Sequence, residues 1–203
     1  MFREIKKTYG KEGIRMKLLL YCTKAKPNLK DYREAFMGFG IANHYVGETM
    51  NGKIVAECDF EVEEIKYEYE WKGYEDVSYF TNNLSREELE KKSCLENKEL
   101  RNYLRLKPLC CVKGKNGYAI HIKNLHIFNE PRELFNYETQ EIWNNTSHYH
   151  RTIMKAPQNM MYCYGKNTGE KYILISIRPE WLVKILNGEK QIEVRKKVLK
   201  EMI

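Results

Sequence analysis

Residues Ile173 to Lys197 read ILISIRPEWLVKILNGEKQIEVRKK, and the hydrophobic period changes twice within these 25 positions. The apolar run up to Ile177 is short and bounded, as a buried strand is. Pro179 then stands where a helix accepts proline, and Glu180 occupies the favourable first turn. Trp181, Leu182, Ile185 and Leu186 form an i, i+1, i+4, i+5 stripe. Asn187-Gly188 supplies a left-handed stop. From Lys190 onward alternation returns, with Ile192 and Val194 on one face and Gln191, Glu193 and Arg195 on the other. Strand, helix, strand is the reading over 172–196.

Working outward, Ile14 to Thr23 (IRMKLLLYCT) is a second apolar run, closed by Lys24, Ala25, Lys26 and Pro27, and reads as a buried strand. A loop or short helix follows to about Val46. Asn51-Gly52 is a turn dipeptide, after which Ile54, Ala56, Cys58, Phe60 and Val62 alternate with Val55, Glu57, Asp59 and Glu61. SREELEKK from Ser85 carries Glu88 three residues later, the capping-box pattern, so a helix is expected to about Lys92 and another over Leu95 to Leu104. Gly117 to Phe128 (GYAIHIKNLHIF) is the best central strand, and its apolar phase shifts near Lys123-Asn124, which predicts a bulge. Pro131 is expected to end pairing there. Asn136 to Arg151 reads as an exposed polar and aromatic excursion. Gln158 to Tyr164 and Tyr172 to Ile177 read as strands around a turn at Gly165 to Gly169. No internal repeat or low-complexity tract is evident.

The 203 residues have 42% hydrophobic and 31% charged content with only 12 Gly and 5 Pro, which excludes disordered, collagenous and mucin-like chains. A core needs no staples at this size. No window approaches the ~20 apolar residues of a membrane span, and the opening MFREIKKTYGK lacks the apolar stretch of a secretory signal, so a cytoplasmic protein is expected. The six cysteines, Cys22, Cys58, Cys94, Cys110, Cys111 and Cys163, read as reduced thiols. Cys110-Cys111 and the cluster His148, His150 come nearest to metal-ligand spacing without matching ligands alongside, so neither metal nor cofactor is implied. A formal charge of +7 permits a polyanionic partner, with the positive field at Lys6 to Lys30 and Arg178 to Lys200 and an acidic stretch at Glu57 to Glu75. The 15 tyrosines could stack on bases, although core and edge packing accounts for most tyrosines.

Chemistry concentrates in GEKQIEVR, Gly188 to Arg195. At a helix-to-strand corner Lys190 is suited to carry charge or a proton, Glu193 to accept or act as base, and Arg195 to present a planar donor fork. Gln191 is counted with Arg195 as a ligand-binding candidate. The competing reading is an exposed strand bearing an ordinary Glu-Arg pair.

These residues resemble the opening of ASCH domains, members of the PUA-like superfamily, whose signature GxKxxExR is filled by Gly188, Lys190, Glu193 and Arg195. The similarity extends to LLYCTKAKP (Leu19 to Pro27), NGKIVAECDFEVEEI (Asn51 to Ile65), GYAIHIKNLHIFNEPREL (Gly117 to Leu134) and KAPQNMMYCY (Lys155 to Tyr164), which are similar to strands of ASCH proteins common in bacteria and phages. In such proteins the signature block comes first; here it comes last. The resemblance therefore implies an α+β fold, a PUA-like mixed β-barrel flanked by helices in circularly permuted order. The chain would be a single domain over 1–203, with 172–197 completing its barrel. Pairing by exchange between two chains is the alternative, and predicts a homodimer.

The implied function is binding of RNA, a modified nucleoside or a nucleotide in a cleft lined by the signature. One branch of the family hydrolyses the acetyl amide of N4-acetylcytidine with a Lys, a Thr and a Glu. Lys190 matches the lysine, Glu193 replaces the threonine, and Glu57 is the matching strand glutamate, so an amidohydrolase or a nuclease is the second reading. A phage counter-defence protein that captures a host signal nucleotide or a host protein is the third. His121 could donate to a ligand carbonyl or phosphate, or simply be packed and hydrogen-bonded. Gln158 matches a glutamine in a PQSW-like block, whose aromatic is Met160 here, which would weaken stacking. Lys24 and Lys26 beside Thr23 could contact phosphate.

Overall fold

The computed structural model describes residues 16–24, 50–71, 75–104, 117–143, 147–199 and Met202. Lys26, the segment read as loop or helix to Val46, and the pair Cys110-Cys111 lie outside the described residues. In chain order the strands and helices are β1 (Lys17–Cys22), β2 (Ile54–Trp71), β3 (Glu75–Phe80), α1 (Arg86–Ser93), α2 (Asn97–Leu104) and β4 (Gly117–Arg132), then β5 (Tyr137–Trp143), β6 (Ser147–Thr152), β7 (Met160–Gly165), β8 (Lys171–Ile177), α3 (Pro179–Leu186) and β9 (Ile192–Arg195). The fold is α+β.

The described strands form one nine-stranded sheet in the order β6-β5-β7-β8-β1-β2-β4-β9, with β3 paired to the far end of β2. β1 lies at its centre, antiparallel to β2 and parallel to β8 in the register Lys17↔Tyr172 through Cys22↔Ile177. A strand covered on both faces needs no polar alternation, and KLLLYC accordingly buries Leu18, Leu19 and Leu20 together. β9 pairs with β4, Ile120 opposite Glu193. The C-terminal strand-helix-strand is therefore joined to the sheet of its own chain on two sides.

On the inner face Leu18 and Leu20 of β1, Cys58 and Phe60 of β2, and Ile173 and Ile175 of β8 meet Leu182 and Ile185 of α3. Burial of each such aliphatic or aromatic side chain contributes about 1.5–3 kcal/mol, so the α3 stripe is a principal hold on the sheet. The outer face carries two further clusters. One joins Leu89 of α1 and Leu100 of α2 to Ile192 and Val194; the other joins Leu19, Tyr21 and Leu174 to Tyr137 and Ile153.

The ladder path is open, with β6 and β9 at its ends, so the expected barrel is not closed by the described strand pairings. The sheet nevertheless curls strongly. β8 and β9 are separated by β1, β2 and β4, yet the Arg195 guanidinium on β9 donates to the main-chain carbonyl of Ser176 on β8 at 2.6 Å. A side chain bridges the gap where a ladder would otherwise run.

Local expectations are met in several places. Ser85 and Glu88 form the reciprocal capping box of α1, and Cys94 ends that helix in the left-handed region at φ 54°. The phase shift in β4 is a bulge: Asn124 has φ 48°, and the register passes from Asp59↔Lys123 to Glu57↔His126 around it. The amide of Asn124 donates to Asp59 at 2.7 Å, which holds the bulge to β2.

One expectation needs correction. Pro131 does not end pairing, since Arg132 pairs with Ile54. The ladder skips from Ile127 to Arg132 while β2 moves only from Ala56 to Ile54, so Pro131 occupies a bulge where no ladder N–H is required. The stretch Asn136 to Arg151 is exposed over most of its described residues, as expected, and is built as two strands. Its β5–β6 hairpin is anchored by buried Tyr137 and by the pairs Tyr137↔Gly165 and Glu138↔Tyr164. It projects past the apolar clusters, which is why polar residues can line it.

Candidate functional site

Gly188, at φ 77°, turns the chain out of α3 and sets Lys190 between three elements. The turn is pinned by main-chain bonds: Lys190 N–H donates to Lys184, Gln191 N–H to Lys92 at the end of α1, and Ile122 N–H to the Gln191 carbonyl. The Lys190 side chain is 2% exposed. Its ammonium donates to the Ser93 carbonyl at 2.6 Å, lies 3.4 Å from Glu193 Oε2, and sits 5.1 Å from the centre of the Trp181 ring. It thus occupies the negative end of α1, where a cation is favoured. Burial pulls its pKa below the ordinary lysine value, with the Glu193 carboxylate opposing that shift.

Buried Glu193 uses its other oxygen for Arg195, whose Nε lies 2.9 Å away as an ion pair rather than an aligned hydrogen bond. Arg195 Nη1 donates to Asn159 Oδ1 at 3.0 Å and Nη2 to the Ser176 carbonyl at 2.6 Å. The signature is therefore a chain of polar contacts, buried at Lys190 and Glu193, running from the end of α1 to the start of β7. The exposed Glu-Arg pair of the competing reading is not what forms.

The other expected site residues divide. Gln191 is exposed and stands apart from this chain of contacts. Glu57 shares the outer face with Leu19, opposite Cys58, and pairs with Lys17 and, at 3.8 Å, His126. It does not join Lys190, because a two-residue period sends it to the far side of the sheet. His121 also faces outward, paired across the ladder with Ile192, and its Nε2 lies 3.2 Å from Glu63 Oε2. Met160 is buried in the inner cluster.

Lys24 and Gln158 both line a cleft of about 470 Å³, which is not lined by Gly188, Lys190, Glu193 or Arg195 and touches the signature only through Ser176, whose carbonyl Arg195 holds. Tyr21, Pro157 and Ser176 are among the residues that line the cleft, and the Ser176 hydroxyl donates to the Pro157 carbonyl at 2.6 Å. Lys24, Lys155, Thr23 and Gln158 supply polar groups. Phe135, 54% exposed, and Met154, 80% exposed, rim it. Neither Lys24 nor Lys155 has a carboxylate partner among the described residues, whereas Glu133, which also lines the cleft, pairs with Lys53 at 3.0 Å. Sequence reading missed Phe135, Met154 and Lys155, which come from connectors on either side of the β5–β6 hairpin and carry no periodic signal.

Among the described residues no group of three or more His, Cys, Asp and Glu side chains is placed to hold a metal ion, and no helix is long and apolar enough to cross a membrane. No family model, curated protein or solved structure matches the chain.

Proposed function

We propose that this chain is an ASCH-type, PUA-like module that binds RNA, a modified nucleoside or a nucleotide in the cleft lined by Lys24 and Gln158. One observation carries the reading: a half-exposed aromatic ring, Phe135, shares a single cleft with two lysines, Lys24 and Lys155, that have no carboxylate partner among the described residues. A base offers a flat face to the ring, a phosphate neutralises the lysines, and Gln158 and Thr23 can bond a base edge or sugar. The cleft volume lies within the ~300–1,000 Å³ range of small-molecule sites.

The test is fluorescence anisotropy with labelled RNA octamers, together with mass spectrometry of nucleosides and nucleotides retained from an RNA digest. Phe135→Ala should weaken retention by the ~1–3 kcal/mol of one stacked base. Retention of a phosphate-bearing ligand should fall with salt, and Lys24→Ala with Lys155→Ala should flatten that dependence. Failure of the wild-type chain to retain any nucleic-acid component overturns the proposal.

A hydrolase acting on an acylated base is the second reading, favoured by the lowered pKa of Lys190. It requires Lys190 to reach substrate, although that side chain is 2% exposed and already held by Ser93 and Glu193. Depletion of N4-acetylcytidine that disappears in Lys190→Ala would establish it over simple binding.

A further inference from the structure

We propose that Arg195 is a positioning residue that sets the cleft wall at Pro157 and Gln158, with Glu193 and Lys190 holding it from behind. The inference rests on the cleft being the binding site. The wall precedes β7, which begins only at Met160, so the β7–β8 ladder reaches it through a single main-chain bond at Asn159. Its ties are few and convergent. Ser176 N–H donates to the Asn159 carbonyl at 3.0 Å, the Ser176 hydroxyl to the Pro157 carbonyl, and the Asn159 amide to the Lys197 carbonyl at 3.2 Å.

Arg195 joins both halves of that arrangement. One guanidinium nitrogen holds the Asn159 side chain and another the Ser176 carbonyl, so strand and wall are referred to one rigid plane. The third nitrogen faces Glu193, Glu193 faces Lys190, and Lys190 caps the Ser93 carbonyl of α1. An unbroken series of polar contacts, buried at Lys190 and Glu193 and part-buried at Arg195, thus runs from a helix end to the back of the cleft. Lysine at 195 could satisfy one of these acceptors but lacks the fork that spans both.

Hydrogen exchange of the whole chain, followed by mass spectrometry, tests this in Arg195→Met, Arg195→Lys and Asn159→Ala. Asn159→Ala acts from the wall side and keeps the test informative if Arg195→Met folds poorly. Arg195→Met and Asn159→Ala should speed exchange of the Ser176 amide, which is bonded to the Asn159 carbonyl of the wall, about tenfold, the size of one lost charge-assisted hydrogen bond, with β1 and β2 unchanged. Affinity for a fluorescein-labelled RNA octamer should fall about tenfold in parallel, and Arg195→Lys should recover part of both losses. Unchanged exchange at the Ser176 amide, or a uniform rise across the sheet, overturns the proposal. If wild-type protein ignores the octamer while exchange responds as described, the RNA reading fails and the role of Arg195 in fixing the wall stands.

Discussion

Arg195 Nη2 and the carbonyl of Ser176 lie 2.6 Å apart, although three strands separate β9 from β8 along the ladder. The contact places the last described strand against the strand that precedes it by one helix. Curl of the sheet and placement of the signature are thus one geometric fact, and α3 fills the space between.

Removal of residues 173–203 should abolish the fold. β8 is an interior strand bonded to both β1 and β7, and α3 fills the inner face. The expected result is loss of a cooperative thermal transition by circular dichroism. A truncated chain that melts near the wild-type temperature would show the segment to be an appendage.

Stability should depend on pH through Lys190. Burial sets its folded pKa below the ordinary 10.5, so between those two values the unfolded chain binds a proton that the folded chain does not. Stability attributable to this residue therefore rises with pH across that window. Tyr79 and Tyr172, whose pKa values burial raises, act in the opposite direction near pH 10 but are common to wild type and Lys190→Met, so they cancel in the difference. Urea denaturation should show wild type gaining on Lys190→Met as pH rises. At neutral pH the variant should lose ~1–3 kcal/mol from the unpaired Ser93 carbonyl. A pH-independent difference would mean that burial does not shift Lys190.

Glycine should be accepted at two left-handed positions where valine is not. Cys94 ends α1 at φ 54° and Asn124 makes the β4 bulge at φ 48°. Cys94→Gly should raise stability by up to ~1 kcal/mol, whereas valine at either position should cost ~1–2 kcal/mol from backbone strain alone. Denaturant melts check this, and a valine variant as stable as wild type would contradict it.

Thiol reactivity should separate the described cysteines. Burial pushes Cys22, Cys58 and Cys163 up to about 12, while Cys94 is partly exposed. Brief alkylation with iodoacetamide at pH 8, read by peptide mass spectrometry, should modify Cys94 and spare the other three. Comparable labelling at Cys58 and Cys94 would contradict the burial pattern.

Elements announced by short-range chemistry were legible in the sequence. Pro179 and Asn187-Gly188 bracket α3, Ser85 with Glu88 opens α1, and a slipped apolar phase marks the bulge at Asn124. Contacts between distant segments were not. Nothing near Lys190 signals that the end of α1 will cover it, since a lysine after a glycine turn reads as a surface residue. Pro131 looked like a stop because the skip in register around it depends on β2. Grouping of Lys190, Glu193 and Arg195 followed from their spacing, but the separation of Glu57 and His121 from them depends on which sheet face each strand turns outward. Phe135 and Met154 meet only because a hairpin returns its two connectors to one place.

The parallel pairing of Lys17 with Tyr172 also orders events during synthesis. β1 emerges from the ribosome before its parallel neighbour, which is translated about 155 residues later, roughly 8–30 s at typical elongation rates. During that interval KLLLYC exposes one edge and much of its apolar surface, with β2 as its first available partner. A nascent chain so arranged is a natural client for chaperones that shield apolar strands, and slow translation of the segment between β1 and β8 would lengthen its exposure.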